Sequence, residues 1–364
     1  MNARLLWNLR NEGISIRVIS TRPVLPGARK RILERSASDP LSPSFIDVPY
    51  IPKFGSRWND RLMRNRLRPA VFKTIKDFQP DLVLGAWMFP DCCAVSQLAK
   101  EANLPSVLIA QGSDLHQYLS NPFRRRKILD AVAESGATIT RSKSLQQLLT
   151  NAGAQQKKIL TIYNGVDTQL FHLGEKGAVR AALDLPQDTP IALFVGNLLP
   201  IKDPELLLHA FAKLRRKSQL VILGAGPLDS ALKQLAGKLG IAKSIHFAGP
   251  QPPEKVALYM QAADTLCMSS KNEGLPNVIL EAFASGLPVV STNVGGVSEV
   301  VTTPELGTLT APSNAEEYAI ALNEQLSSKP NRDSIRKQGV AYSWKHACEQ
   351  YLEIFQRVVT THPH

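Results

Sequence analysis

The sequence is poor in cysteine and lacks the long apolar runs and repeats that define several classes of protein. Its 364 residues contain four cysteines, of which Cys92 and Cys93 are adjacent, so it has neither a disulfide framework nor Cys-x2-Cys metal spacing. The seven histidines also lack metal-ligand spacing, and we predict no metal and no cofactor. We find no transmembrane run, signal peptide or low-complexity tract. These absences favour a protein of the reducing cytoplasm.

Acidic residues are scarce in the first half of the chain. Residues 1–165 contain 25 Lys+Arg against 12 Asp+Glu, a net charge of +13, whereas the remainder has a net charge of −1. The excess is concentrated at 22–35, 57–68 and 124–127. A solvated helix face explains any one cluster, but three clusters favour an anionic partner, since a membrane leaflet contributes about 1 kcal/mol per nearby basic residue. We predict peripheral association with the inner face of the plasma membrane, and no nucleic-acid partner because aromatic residues do not alternate with the basic ones.

Short apolar strands alternate with helical segments along the whole chain. Strands are predicted at 14–20, 82–85, 106–110, 137–140, 159–162 and 191–195. This alternation indicates an α/β class with parallel sheets. A length of 364 residues with 44% hydrophobic content is sufficient for two domains, each with its own core.

Two glutamates lie eight residues apart, one beside a loop that contains glycine and proline and the other inside the helix that follows this loop. Gly274 allows a ligand to approach the backbone closely, and Pro276 suits the start of a helix. Phosphate is a natural ligand there, because the first N–H groups of a helix are unsatisfied and lie at the positive end of its dipole. Glu273 and Glu281 are separated by about 12 Å at roughly 1.5 Å per residue. The segment therefore predicts a site for a polyhydroxylated anion; the alternative is that Glu273 caps the helix and Glu281 is solvated.

This spacing resembles the Glu-x7-Glu motif of the family 4 retaining glycosyltransferases, also called glycosyl transferases group 1. The resemblance implies a GT-B fold, with two Rossmann-like domains whose parallel sheets face a central cleft. It also implies that Glu273 contacts the transferred sugar, that Glu281 contacts the ribose, and that the amides between them bind the diphosphate. The donor-binding residues that it assigns in this segment are Glu273, Gly274, Leu275, Pro276, Asn277, Val278 and Glu281.

A second resemblance follows the strand predicted at 191–195. The segment from Gly196 to Lys202 is similar to the family's Gly-Arg-Leu-x-x-x-Lys loop, whose cations hold the donor diphosphate. Lys202 fits this pattern, but Asn197 replaces the arginine and leaves one formal cation for the leaving group. Gly224 lies in a strand and turn that resemble the next part of the family's donor domain. All four named residues are predicted to bind the donor; the alternative for Lys202 is a solvated loop lysine.

The resemblance also extends to the domain boundary and to a later turn. The segment Asn164-Gly165-Val166-Asp167 resembles the signature that closes the family's N-terminal domain, and Gly295-Gly296 matches a turn with either a structural or a donor-binding role. The implied domains are an acceptor-binding domain at 1–170, a donor-binding domain at 171–345 and a C-terminal helix at 346–364 that packs back on the first domain.

Candidate acceptor residues follow two predicted strands of the first half. Gln111-Gly112-Ser-Asp114 resembles the family's His-Gly-x-Asp segment, in which the histidine lies near the transferred sugar. Gln111 carries no charge, but its amide is able to bind a sugar hydroxyl. Trp87 and Asp91 lie where ligands approach an open α/β sheet, and core packing is the alternative for Trp87. The predicted acceptor residues are thus Trp87, Asp91, Gly112 and Asp114, and the predicted catalytic residues are Glu273, Lys202 and Gln111.

The beginning of the chain departs from the family. A helix near Arg4 to Arg10 and the strand at 14–20 resemble the family's first helix and second strand, so the first strand and its glycine-rich loop are expected to be missing. Loss of a central strand exposes the hydrogen-bonding groups of its neighbours. Two interpretations stay open: the start codon has been placed too late, or the product is truncated and inactive.

The sequence therefore predicts a cytoplasmic, metal-independent, hexosyltransferase-like retaining enzyme. Its substrate would be a UDP- or GDP-linked sugar, and its acceptor a hydroxyl of a glycan or glycolipid in cell-surface polysaccharide synthesis. The alternative is a non-catalytic nucleotide-sugar-binding remnant of the same family.

Overall fold

A computed structural model describes residues 2–25, 41–52, 55 and 57–362 of the chain. The chain divides into two compact units. The N-terminal unit contains the residues up to Tyr163 and the segment from Trp344 onwards, and the C-terminal unit contains Asn164–Ser343. The boundaries inferred from the sequence, 170/171 and 345/346, fall close to these limits.

The N-terminal unit contains parallel strands in two separate sheets. Its strands are β1 (Ile19–Val24), β2 (Ser44–Pro49), β3 (Val83–Ala86), β4 (Ser106–Ile109), β5 (Ala137–Thr140) and β6 (Ile159–Thr161). Among the described residues, β1 pairs only with β2, and the other four form a sheet in the order β3-β4-β5-β6. One edge of β1 and one edge of β3 therefore have no strand neighbour in the described part of the chain.

Seven helices of the described residues belong to this unit: α1 (Asn2–Asn11), α2 (Asn59–Phe78), α3 (Cys93–Glu101), α4 (Ser113–Tyr118), α5 (Pro122–Glu134), α6 (Lys143–Asn151) and α14 (Trp344–Thr360). The C-terminal helix α14 packs with α1 and the central strands around a core that includes Leu5, Ile139 and Tyr351. The buried Arg141 donates from Nη1 to the Tyr351 hydroxyl at 2.6 Å. Helix α14 is therefore an integral part of the N-terminal unit.

The C-terminal unit contains one six-stranded parallel sheet in the order β12-β11-β10-β7-β8-β9. Its strands are β7 (Ile191–Val195), β8 (Gln219–Leu223), β9 (Ile245–Gly249), β10 (Thr265–Met268), β11 (Val289–Thr292) and β12 (Gly307–Thr310). Its helices are α7 (Lys176–Ala182), α8 (Pro204–Phe211), α9 (Asp229–Lys238), α10 (Pro253–Ala262), α11 (Asn277–Ala284), α12 (Ala315–Ser327) and α13 (Arg332–Val340). Every residue of β10 and β11 is buried, as expected for central strands covered on both faces.

The structure confirms most of the predicted elements, corrects the bounds of one strand and contains further strands that were not predicted. The helix expected near Arg4 to Arg10 is α1, but the strand expected at 14–20 begins only at Ile19. Ile14 and Ile16 instead pack as irregular backbone against the core around α1 and α14. The strands that were not predicted are β2, β9, β10, β11 and β12. All four cysteines are buried free thiols, and no described helix is long and apolar enough to span a bilayer.

Candidate functional site

The strand order of the C-terminal sheet reverses between β7 and β10. The chain passes from β7 outward through β8 and β9, and then returns to place β10 on the other side of β7. In open parallel sheets, ligands bind at such a reversal, beyond the carboxyl ends of the strands. The segments that leave these two ends are residues 196–203 and 269–276. They contain most of the residues that the sequence assigns to the donor.

An ion pair joins the two segments at this point. The Lys202 Nζ donates to Glu273 Oε1, and the Ser270 hydroxyl donates to the same oxygen at 2.7 Å. The Ser269 hydroxyl donates to the Lys202 backbone oxygen at 2.9 Å. The side chain of Lys202 is 28% exposed and that of Glu273 is 12% exposed, so the pair is accessible to a ligand mainly from the lysine side.

Helix α11 begins directly after this loop. Pro276 precedes its first residue and supplies no side-chain cap, so the first N–H groups of the helix have no side-chain acceptor from that position. The Asn164 side chain, which is buried, donates to Asn277 Oδ1 at 2.7 Å and fixes the first helical residue. Glu281 lies one turn further and is half-buried. The segment from Gly274 to Val278 therefore presents a loop and a helix start next to the ion pair.

The glycines of the neighbouring turns are explained by close packing of backbone. Gly295 has a φ of +57°, and a Cβ there would overlap the backbone oxygen of Glu273. The Gly296 N–H donates to the Gly274 oxygen at 2.6 Å. Gly224 has a φ of +147°, and a Cβ there would overlap the backbone oxygen of Gly196. These glycines therefore hold the loops at the carboxyl ends of the strands in contact.

Sequence reasoning overlooked several residues of this arrangement. Ser269 and Ser270 follow directly on the buried strand β10, and that position at a strand end was the available signal. Asn164 was recognised only as part of a domain boundary. Asn197, at the family's arginine position, is exposed beside the site.

The predicted acceptor residues follow β3 and β4 in the N-terminal unit. Asp114 is fully buried and accepts hydrogen bonds from four backbone N–H groups. These belong to Met88 (2.8 Å), Gln111 (3.0 Å), Gly112 (2.8 Å) and Leu115 (3.0 Å). Its carboxylate thus holds together the two loops that follow β3 and β4, and it is placed to position Gln111 rather than to contact a substrate.

Trp87 and Asp91 lie in the turn after β3. Trp87 has a φ of +77°, which is unusual for a bulky residue, and its ring makes an edge contact with Tyr118 at 6.5 Å between centroids. Asp91 Oδ1 accepts a hydrogen bond from the Thr21 hydroxyl at 2.9 Å. Burial raises the pKa of Asp91 to about 6, although the bond from Thr21 lowers it in part and the nearby Asp114 raises it.

Asp91→Asn is expected to stabilise the protein at pH 8 but not near pH 4. A raised pKa means that the native state favours the protonated acid, so stability is lost as the pH rises from about 4 through 6. The shift corresponds to at most about 3 kcal/mol, and we expect about 1–2 kcal/mol after relaxation around the charge. Asparagine keeps the acceptor for Thr21 without the charge. Thermal denaturation of both proteins at pH 4, 6 and 8 measures the difference; equal melting temperatures at pH 8 would contradict the burial of a charged Asp91.

Comparisons with known proteins agree with this architecture. A family model described as Glycosyltransferase Family 4 matches residues 2–170, and one described as Glycosyl transferases group 1 matches residues 175–341. The D-inositol 3-phosphate glycosyltransferase of Nocardia farcinica is 31% identical over 292 residues, which cover 75% of this chain and 62% of the relative. The Mycobacterium leprae protein of the same name is 33% identical over 226 residues, with coverages of 59% and 52%. The chain thus spans about half to three fifths of the length of these curated relatives.

Solved structures show the same fold. Sucrose-phosphate synthase from Thermosynechococcus elongatus has a TM-score of 0.78 at 19% identity, covering 98% of this chain and 92% of that one. HepE from Anabaena, in complex with UDP, has a TM-score of 0.71 at 21% identity, covering 85% of both chains. The two family models together match nearly the whole sequence, and both units have parallel α/β architecture. The chain therefore belongs to the family 4 glycosyltransferases, or glycosyl transferases group 1, and has their GT-B fold.

Proposed function

We propose that this chain is a retaining glycosyltransferase that moves a sugar from a nucleoside diphosphate to a hydroxyl group. The supporting observation is the Lys202–Glu273 pair, which lies where the strand order reverses and beside the start of α11. A diphosphate at that helix start would be stabilised by the positive end of the helix dipole and by the Lys202 ammonium. Glu273, released from Lys202, would accept hydrogen bonds from the sugar, and Glu281 would accept them from the ribose.

The transfer itself needs little further protein chemistry. The acceptor oxygen bonds to the anomeric carbon as the bond from that carbon to the phosphate oxygen breaks, and the acceptor proton passes to the departing phosphate on the same face of the sugar. In this scheme the protein stabilises the negative charge that develops on that phosphate. Lys202 and the amides from Gly274 to Val278 would supply this stabilisation without a metal. Gln111, in the N-terminal unit, is the proposed contact near the transferred sugar, and acceptor contacts come from Trp87 and Asp91.

The proposed donor is a UDP- or GDP-linked sugar, and the UDP complex of HepE supports uridine. The proposed acceptor is a hydroxyl of a glycan or glycolipid in cell-surface polysaccharide synthesis. The polar inositol phosphate named for the curated relatives supports a polyhydroxylated acceptor. A second candidate, a nucleotide-sugar-binding remnant without transfer, is favoured by Asn197, which is exposed at the position of the family's arginine.

A thermal-shift panel of nucleotides and nucleotide sugars, followed by a transfer assay in EDTA, separates these functions. We expect a nucleotide sugar to raise the melting temperature, and transfer to persist in EDTA with the anomeric configuration retained by NMR. Binding without transfer or hydrolysis supports the remnant. If no nucleotide or nucleotide sugar binds, both proposals fail.

We further propose that the N-terminal unit binds an anionic membrane surface. Trp58 and Phe123 are 49% and 48% exposed, and the Arg57 guanidinium lies 4.3 Å from the centre of the Phe123 ring. Arg125 and Arg126, just beyond Phe123 on α5, are also exposed. Exposed aromatic rings beside basic side chains suit the interface between lipid headgroups and acyl chains. Residues 26–35 of the first basic cluster lie outside the described residues.

Reversing the charges of Arg125 and Arg126 to glutamate is expected to weaken binding to anionic vesicles at least about tenfold, since each basic residue contributes roughly 1 kcal/mol. Flotation with phosphatidylglycerol liposomes at low and high salt measures this binding. Arg215→Glu/Arg216→Glu is the matched control, because these exposed arginines lie in the C-terminal unit. Equal flotation of both double variants would contradict the assigned surface.

A further inference from the structure

A second cluster of charges lies at the other end of the C-terminal sheet from Lys202 and Glu273. Asp264 directly precedes β10, and Pro288 directly precedes β11. These residues line a cavity of about 230 Å³ at the amino ends of the strands. Its charged lining consists of the cations Lys176, Lys329 and Arg332 and the single acid Asp264. The cavity is therefore separate from the proposed donor site, and its lining carries an excess of positive charge.

The one carboxylate in this lining is already satisfied. Asp264 accepts from the Lys176 ammonium at 2.5 Å, from Arg180 Nη2 at 2.8 Å and from the Ile191 backbone N–H at 2.7 Å. It therefore divides its charge between two cations. Burial lowers the pKa of Lys176, and it also lowers the pKa of Arg332. Both cations are thus partly desolvated, although Asp264 acts to raise the pKa of each and Asp333 and Glu175 also act to raise that of Arg332.

Arg332 is held in a fixed orientation at the cavity. Its Nη2 donates to the backbone oxygens of Gln261 at 3.2 Å and Ser285 at 3.1 Å, and its Nε donates to that of Gly286 at 3.4 Å. None of these bonds uses Nη1, which leaves two N–H groups on a positioned guanidinium. Arg332 is also the first residue of α13, whose first amides have no carbonyl partner within the helix, although the Asn331 side chain accepts a hydrogen bond from one of them, the Ser334 N–H. The exposed Lys329 lies three residues earlier.

We propose that this cavity binds a phosphate group, as inorganic phosphate or as the phosphate of a small ester. The three cations of the lining outnumber its one acid, Asp264, and so attract an anion. Arg332 also supplies directed N–H donors of the kind that suit phosphate oxygens. The volume corresponds to about eight water molecules at roughly 30 Å³ each. That space accommodates phosphate with a small substituent, but not a nucleotide sugar.

The test is calorimetric titration with inorganic phosphate in a Lys202→Ala background, which weakens phosphate binding at the proposed donor site. Lys329→Glu and Arg332→Gln are each expected to weaken binding at least about tenfold, which corresponds to the loss of one charged hydrogen bond. Lys238→Glu, at an exposed lysine on α9, is the matched control and should leave the affinity unchanged.

Lys329 is exposed, so its variant tests the cavity even if Arg332→Gln fails to fold. A parallel titration with ribose 5-phosphate identifies the source of the group: tighter binding than inorganic phosphate indicates an ester, and weaker binding indicates the free ion. The proposal is overturned if phosphate and ribose 5-phosphate both fail to bind, or if Lys329→Glu binds phosphate as well as Lys238→Glu does.

Discussion

Asp114→Ala is expected to destabilise the N-terminal unit by about 4 kcal/mol or more. The buried carboxylate accepts from four backbone N–H groups, and each donor left unsatisfied in the interior costs about 1–3 kcal/mol. At about 2–4 °C per kcal/mol, the melting temperature of this unit should fall by about 10 °C or more. Asp114→Asn keeps one acceptor oxygen and should be intermediate. Calorimetry, with hydrogen exchange at the four amides, measures the effect.

Asp77→Ala is the matched control, because Asp77 is an exposed acid on α2. Its melting temperature should equal that of the unmodified protein, since substitutions of exposed residues usually change the free energy of unfolding by less than about 0.5 kcal/mol. If Asp114→Ala melts within about 2 °C of this control, the four hydrogen bonds do not stabilise the N-terminal unit by the expected amount.

Lys202→Ala is expected to lower kcat/KM for the nucleotide sugar about 10- to 150-fold. That range corresponds to about 1.5–3 kcal/mol for a hydrogen bond to a charged group. The same change also leaves the Glu273 carboxylate without its cation, so a double-mutant cycle with Glu273→Gln is needed to separate the two effects. Glu281→Gln should weaken donor use about tenfold or more, through the ribose.

A purely structural lysine would behave differently in this cycle. If Lys202 only neutralises Glu273, the double variant should recover the nucleotide affinity that Lys202→Ala loses. If Lys202 binds the diphosphate, the double variant should bind nucleotide no better than Lys202→Ala. Lys271→Ala is the control, because Lys271 lies in the same loop as Glu273 but pairs with Asp203, at 3.3 Å, and not with Glu273. Unchanged nucleotide-sugar binding in both Lys202→Ala and Glu281→Gln would remove the donor-site assignment.

The sequence predicted the parallel strands well because their apolar runs are short and bounded. Strands β5 and β7 have the predicted limits. The strand expected at 14–20 was misplaced because Ile14 and Ile16 alternate like a strand, although tertiary packing buries them in irregular backbone. Strand β2 was missed because Asp47 and Pro49 make it unlike a strand.

The sequence assigned residues to the candidate site but did not predict the contacts between them. The resemblance to the family's Glu-x7-Glu and Gly-Arg-Leu-x-x-x-Lys motifs assigned Glu273 and Lys202 to the donor, and these residues lie 71 positions apart in sequence. Their direct pairing follows from the adjacency of β7 and β10, and no local pattern encodes that adjacency. The same reason explains Asp114, for which the sequence indicated a ligand contact while the long-range bond to Met88 reveals a positioning role.

The return of α14 to the N-terminal unit affects the order in which this chain is able to fold during synthesis. The C-terminal unit is continuous, from Asn164 to Ser343, and emerges from the ribosome complete. The N-terminal unit is begun first but still lacks Tyr351, the partner of the buried Arg141, until the residues after 343 have been made. The unit that is translated first is therefore completed last, and until then the core surface that α14 covers is exposed to chaperones and proteases.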